Sequence, residues 1–333
     1  MSKLLFSTDT DSGTITVLDP TASMKTVCKI AVGNGPRGPV KFTTTGRGFV
    51  ANHAGNTLSE IDAYSLRELS RIKVGNAPIG VAIVPGDRYA LTSCSGDNNI
   101  AVIDLDSREV VHSLVTGREP RHMDITPCGK YAYAAVSGGD YISKINVEAL
   151  SQNNKKNISD TVREEKRIFL GEGTMPYSFA INSTGEYGLA ANNQTEYVSI
   201  VDLKNDKVFK EVKVGNKGAR GSVFSPDGDK VFVTIEDINE ILAIDVSTGN
   251  IDNRFPVGPG PRGIILDEQT NTLFASAFAR NKAVSTSAIT KPNSVSIVEL
   301  GSVTTLKALS SATPSFKEVS VGAGPCSVNI FTR

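Results

Sequence analysis

Four arginines occupy the same place in repeated copies of one short motif, and their chemistry is the most specific thing the chain offers. The motif reads approximately Val-Gly-x-Gly-Pro-Arg-Gly, as VGNGPRG from Val32, VGNAPIG from Val74, TGREPRH from Thr116, VGNKGARG from Val214, VGPGPRG from Val257 and VGAGPCS from Val321. A looser copy, LGEGTMPYS from Leu170, fills the one large gap in the series. The residue after Pro, or its equivalent, is Arg37, Ile79, Arg121, Tyr177, Arg220, Arg262 and Cys326. A guanidinium is a rigid fork of N–H donors that fits carboxylate or phosphate bidentately. Gathered at one mouth without partners, four of them would repel and lose hydration. The pattern therefore points to an anionic small molecule bound by Arg37, Arg121, Arg220 and Arg262, with Tyr177 and Cys326 completing the ring. The packing alternative is that these arginines fold back onto carbonyls or acids of neighbouring loops and clasp the units together. Departures from Arg at Ile79, Tyr177 and Cys326 favour the ligand, because a clasp would repeat evenly.

Groups able to move protons stand beside that ring. His122 follows Arg121 directly and His53 lies in NHAGN, whereas His112 belongs to an outer strand. Imidazole transfers protons near neutral pH, which makes His122 and His53 the candidate acid/base residues. Acids expected on the same face are Asp9, Asp11, Asp97, Asp140, Glu196, Glu236 and Asp237. One of them paired with a histidine would form a general base, and several together would hold a hard cation. Their scatter over separate loops gives no metal-ligand spacing, so no metal or other cofactor is expected, with a divalent ion the lesser reading. Cys326 is either a thiol activated by neighbouring Arg or a small inner-strand residue.

The elements that must bring these residues together follow from the repeat. Each unit carries an alternating run ending in an acid or amide: ITVLD to Asp19, LSEID to Asp62, IAVID to Asp104, ISKIN to Asn146, VSIVD to Asp202, ILAID to Asp245 and VSIVE to Glu299. Alternation of this kind is a strand signature, and the terminal acid is read as a turn former bonding to the backbone ahead. Two further strands precede it, as in SVFSPDGDKVFVT, and a more charged fourth follows, as in RELSRIKVG, which suits an exposed edge. Four short antiparallel strands per roughly 43 residues describe a propeller blade. Glycines 33, 75, 117, 171, 215, 258 and 322 mark the unit starts. The last unit has only its first strand, and residues 1–32 supply the other three. The expectation is an all-β, seven-bladed propeller of four-stranded blades, closed by pairing the C-terminal strand with the N-terminal strands, in a single domain over 1–333.

The repeat resembles the YVTN family of seven-bladed propellers. The match lies in GNAPIGVAIVPGDRYALTS, NNIAVIDLDSREVVHSLVTG, SPDGDKVFVT and ILAIDVSTGNIDNRF and covers the chain apart from its insertions. Related propeller families include 6-phosphogluconolactonase-like lactonases, a muconate cycloisomerase, streptogramin lyase-like proteins and propeller subunits of redox enzymes, so the resemblance specifies fold more than chemistry. PRHM from Pro120 with the following ITPCGKYAYAA is similar to a lactonase-like segment, matching at Arg121 and His122. That segment's Asn-Glu is replaced here by AAVSGG over 134–139. The resemblance implies His122 as a mouth residue beside a cation, and the lost acid weakens a transfer of lactonase activity.

Composition sets outer bounds. Thirty-five basic residues balance 35 acidic ones, which gives no electrostatic case for nucleic-acid or membrane-surface binding. Trp is absent, which disfavours sugar- and base-stacking platforms, although Tyr177 and Phe278 remain local candidates. The opening MSKLLFSTDTDSG lacks an apolar core for a signal peptide. Cys28, Cys94, Cys128 and Cys326 are expected in an outer strand, a second-to-third strand loop, a turn on the opposite face and an inner strand. So dispersed, they read as thiols of a reducing compartment. A cytoplasmic location follows, or a periplasmic one if a leader was removed.

Insertions over 151–167 and within 279–315 break the period. The first joins strands three and four of its unit on the bottom face, and the run from Ala279 joins strands two and three on the top face, where it could cover the axis. Two function classes remain open. One is an enzyme acting on a carboxylated or phosphorylated small molecule by lactone hydrolysis, cyclisation or elimination, with the arginines fixing the anion. The other is a non-catalytic propeller binding a protein over its top face.

Overall fold

The computed structural model describes residues 2–152, 158–278, 293–300 and 316–333. Seven four-stranded antiparallel sheets form a ring. Blade one runs outward from Pro36–Phe42 through Arg47–Asn52 and Thr57–Asp62 to Arg67–Lys73, and the next five blades repeat this order. Blade seven is built as expected, with Pro325–Thr332 innermost and Lys3–Asp9, Thr14–Asp19 and Lys25–Ala31 outside it. Lys3 pairs with Thr332 and Ser7 with Val328, so the two ends of the chain close the circle by a strand ladder.

The alternating sequence becomes this shape because the middle strands are buried on both faces, between neighbouring blades. Phe49, Val50 and Leu58 are fully buried in blade one, as are Leu91 and Val102 in blade two. Seven apolar clusters fill the seven gaps between blades, for example Val198 and Ile200 of blade four against Val231 and Val233 of blade five. Outermost strands instead alternate exposed and half-buried residues, as in RELSRIK and KVFKEVK, and their lysines and arginines guard an open edge. The acids ending the third strands act as turn formers. Asp62 Oδ1 accepts the N–H groups of Tyr64 and Ser65, and Asp202 Oδ1 those of Lys204 and Asn205.

Two backbone constraints aim the inner strands at the axis. The residue before Pro, or its equivalent, has left-handed φ in every blade: Gly35 67°, Ala77 50°, Glu119 57°, Met175 45°, Gly218 90°, Gly260 64° and Gly324 69°. That kink turns the chain from the outer strand of one blade into the inner strand of the next, and it explains the Gly-Pro step of the motif. The residue after the ring position is then squeezed against the following blade. A Cβ on Gly80 would stand 2.7 Å from the Arg121 carbonyl oxygen, and one on Gly221 2.3 Å from that of Arg262.

Three placements refine the sequence reading. Residues 163–167 of the first insertion are outer strand, Arg163–Phe169, and short helical turns lie at Glu148–Ser151 and Ile158–Thr161. Leu150, just before the insertion, and Val162 within it are buried in the cluster between blades two and three, so these described residues cover that gap. Cys94 ends the second strand of blade two, Tyr89–Cys94, and is buried there. The top-face run from Ala279 and the run from Gly301 lie outside the described residues.

The left-handed positions yield an opposed pair of expectations. Gly260→Ala forces L-residue strain and a Cβ 2.6 Å from the Phe278 carbonyl oxygen, and loses more than about 1 kcal/mol. Ala77→Gly relieves the same conformation and is neutral or stabilising by up to about 1 kcal/mol. Urea denaturation of both variants reads the pair directly.

Candidate functional site

The seven ring residues sit at the second position of the seven inner strands, but the structure does not treat them alike. Ile79, Tyr177 and Cys326 are buried, and the four arginines are half-buried. The position after them is Gly38, Gly80, His122, Ser178, Gly221, Gly263 and Ser327, small in every blade except blade three. There the imidazole of His122 passes over Gly80 and reaches blade one, where a Cβ on Gly38 would stand 2.9 Å from His122 Cε1. Blade one makes room for it. Its inner strand takes five steps from Pro36 to Lys41 while the partner strand takes three from Asn52 to Phe49, whereas blade two takes four against three. The extra residue is part of the Gly38-Pro39 step on which the imidazole rests.

Beside His122 the channel holds a cavity of about 190 Å³ whose lining comes from all seven blades, with Pro39 and Lys41 of blade one and Val81 of blade two among it. Arg220, Arg262, Tyr177, Cys326 and His122 line it, together with Lys41, Asp124 and Asn329 lower down. Arg37 and His53 are not brought into it. They line a separate top-face depression with Asp11 and Asn34, where His53 Nδ1 lies 3.3 Å from the Pro78 carbonyl oxygen.

Among the described residues, Arg121, Arg220 and Arg262 carry acid partners, as the packing alternative expects, and Arg37 has no ion pair. Glu236 accepts from Arg220 Nε at 2.5 Å and from Arg262 Nη2 at 3.0 Å, so a single carboxylate serves two guanidinium groups. Arg121 Nη2 donates to Glu119 at 2.9 Å, while its buried Nε has no partner among the described residues. Aromatic faces complete the cradle. The guanidiniums of Arg121 and Arg220 lie 4.9 and 4.3 Å from the Tyr177 ring centre, and that of Arg262 lies 3.7 Å from Phe278. Deeper in, Asp124 accepts the backbone N–H groups of Ile125 and Ile181, and Lys41 has no ion pair among the described residues.

This field acts on the histidines. Burial first, then the charges of Arg121, Lys41, Arg37 and Arg220, push His122 down to about 3. Burial and Arg37 lower His53 in the same way, against the opposing contact with Pro78. Neither histidine has a carboxylate bonded to its ring among the described residues. The remaining acids are engaged elsewhere. Asp97 bonds to Asn76, Asp140 to the N–H groups of Gly173 and Met175, and Glu196 pairs with Lys213. Asp9 is buried among Ser7, Thr14 and Thr16, and burial raises it. No cluster of three His, Cys, Asp or Glu side chains suited to a metal occurs among the described residues.

Sequence reasoning located the ring and His122 but missed how they are divided. Glu236 appeared only as one of many acids, and nothing in its local sequence marks it as shared between two blades. Lys41 was missed altogether, although the extra residue in PRGPVKF relative to PIGVAI was a visible signal of altered register. The depressed His122 makes a pH prediction. Between about pH 6.5 and 3 the unfolded chain protonates this imidazole and the folded chain does not, so stability falls as pH falls through that window. Histidine 122 contributes a slope of up to about 1.4 kcal/mol per pH unit. Unfolding free energies measured across the window should decline less steeply in His122→Gln than in the parent chain.

The model of the family described as YNCE-like beta-propeller matches residues 2–306. None of the curated proteins matches the chain in sequence. Similar solved structures include Kuenenia stuttgartiensis hydrazine synthase, 18% identical over 89% of this chain and 90% of that one, with a TM-score of 0.72. Another is a functionally unknown protein from Desulfotomaculum acetoxidans DSM 771, 14% identical over 98% of each chain, with a TM-score of 0.77. At such identities the likeness is one of fold. With seven four-stranded blades closed end to end and a family model that spans nearly all of them, the chain belongs to the YNCE-like β-propeller family.

Proposed function

We propose that this propeller binds a small anion, a carboxylate or a phosphate, in the central cavity between Arg220, Arg262 and Lys41. The observation that carries the reading is Lys41, which lines the cavity without an ion pair among the described residues, beside two arginines that share one carboxylate. Glu236 serves Arg220 and Arg262 together, and Lys41 adds a third cation with no acid partner among the described residues. Asp124 is the only carboxylate among the described residues that line this cavity, and it accepts two backbone N–H groups. Positive charge therefore exceeds negative in a confined space of low dielectric, where an anion is attracted strongly. Glu236 also fixes both guanidiniums before any ligand arrives, which lowers the ordering cost of binding.

Binding is better supported than turnover. A lactonase, cycloisomerase or lyase working near neutral pH needs a proton acceptor matched to that pH. An imidazole held near 3 stays neutral and is a weak base, so His122 serves best as a hydrogen-bonding wall of the cavity. Packing alone accounts for the Glu236 pairs and for Glu119 with Arg121. It does not account for Lys41, which lines the cavity with no ion pair among the described residues.

Thermal-shift and calorimetric titration with mono-, di- and tricarboxylates and phosphate esters test the reading. At least one of these anions should stabilise the parent chain, and Lys41→Met and Arg262→Gln should each weaken it about tenfold or more, the loss expected for one charge-assisted contact. A parent chain indifferent to every anion would overturn the proposal. Co-purification of a stable protein partner over the top face by such a chain would favour the scaffold reading instead.

A further inference from the structure

The walls of the central cavity are as informative as its cations. Below Arg220 and Arg262 the cavity is bounded by Phe179, Ala180, Val223, Ile265 and Val328. Ala180, Val223 and Ile265 occupy the fifth inner-strand position, face the cavity and are only half-buried, so apolar surface remains uncovered at the centre of the ring. Uncovered apolar surface in a concave, confined space is the part of a pocket that a ligand body covers.

Part of the polar lining is already in use. Ser178 Oγ donates to the Arg220 carbonyl oxygen at 2.6 Å, and Asn329 Nδ2 donates to that of Val40 at 2.6 Å. Asn329 Oδ1 receives the Ile330 N–H, and Asp124 is held by the two backbone groups described above. Ser222 Oγ is a buried hydroxyl of the lining without a partner among the described residues. A ligand hydroxyl lying against Ala180, Val223 and Ile265 would lose its hydration and find no hydrogen-bonding partner in those three side chains.

Size narrows the class further. An engineered apolar cavity of roughly 150 Å³ holds benzene. The 190 Å³ cavity accommodates a body of similar size plus one charged head. Resting on the anion reading above, we infer that the ligand is a small carboxylate with an apolar, ring-sized body: its head meets Arg220 and Arg262, and its body lies against Ala180, Val223 and Ile265.

Calorimetry with benzoate, phenylacetate, citrate, inorganic phosphate and benzyl alcohol tests this. Benzoate or phenylacetate should bind about tenfold or more tightly than citrate or phosphate, through burial of the ring. Ala180→Leu fills the body region and should reduce benzoate binding about tenfold while leaving phosphate binding unchanged. Ile265→Ala enlarges the region and should move the preference toward naphthoate, which keeps the test alive if Ala180→Leu fails to fold. Citrate or phosphate binding as tightly as benzoate would overturn this inference and leave the anion reading standing. Benzyl alcohol binding as tightly as benzoate, or no binding by any of the five, would overturn both.

Discussion

Everything about the centre of this molecule follows from how closely its seven inner strands approach one another. The position after the ring residue meets the backbone of the next blade, and at Gly221 an added Cβ would stand 2.3 Å from the Arg262 carbonyl oxygen. Hydroxyl groups bridge the same junctions. Ser178 Oγ and Thr234 Oγ1 donate to the carbonyl oxygens of Arg220 and Arg262 in the following blades. Small residues are therefore required at nearly every blade, and the ring closes without a wide bore. Against this uniform background one large residue, His122, decides where space remains.

The consequence is an uneven channel. The imidazole reaches from blade three to the widened bulge of blade one. Beside it lies a cavity lined from all seven blades, with Arg220, Arg262 and Lys41 as its cations and apolar side chains along its walls. The pairing of Arg220 and Arg262 through Glu236 belongs to both readings of the arginine ring at once. It ties blade five to blade six, and it presents two oriented guanidiniums to the cavity. Clasp and ligand site are compatible uses of the same side chains.

How much of this the sequence disclosed depends on the range of the interaction. Blade number, closure and the turn-forming acids were legible because each is encoded within one repeat, in the Val-Gly spacing, the alternating runs and Asp62 or Asp202 at a strand end. The ring residues were legible because they share a motif position. Their grouping was not. Arg37 looks equivalent to Arg262 in sequence, yet it faces a depression shared with His53. The Glu236 bridge to Arg262 spans 26 residues and two blades, and only the closed ring brings the pair together. Lys41 enters the channel through a register change of one residue, which a repeat alignment hides. Left-handed Ala77, Glu119 and Met175 were likewise invisible where the motif loses its glycine.

Surplus positive charge in the central cavity underlies anion binding, and locating a bound anion there is the most direct test. Anomalous diffraction from crystals equilibrated with bromide should show a halide within hydrogen-bonding reach of Arg220, Arg262 or Lys41. Bromide found only on the outer surface, with the central cavity empty or filled by water, would contradict the account.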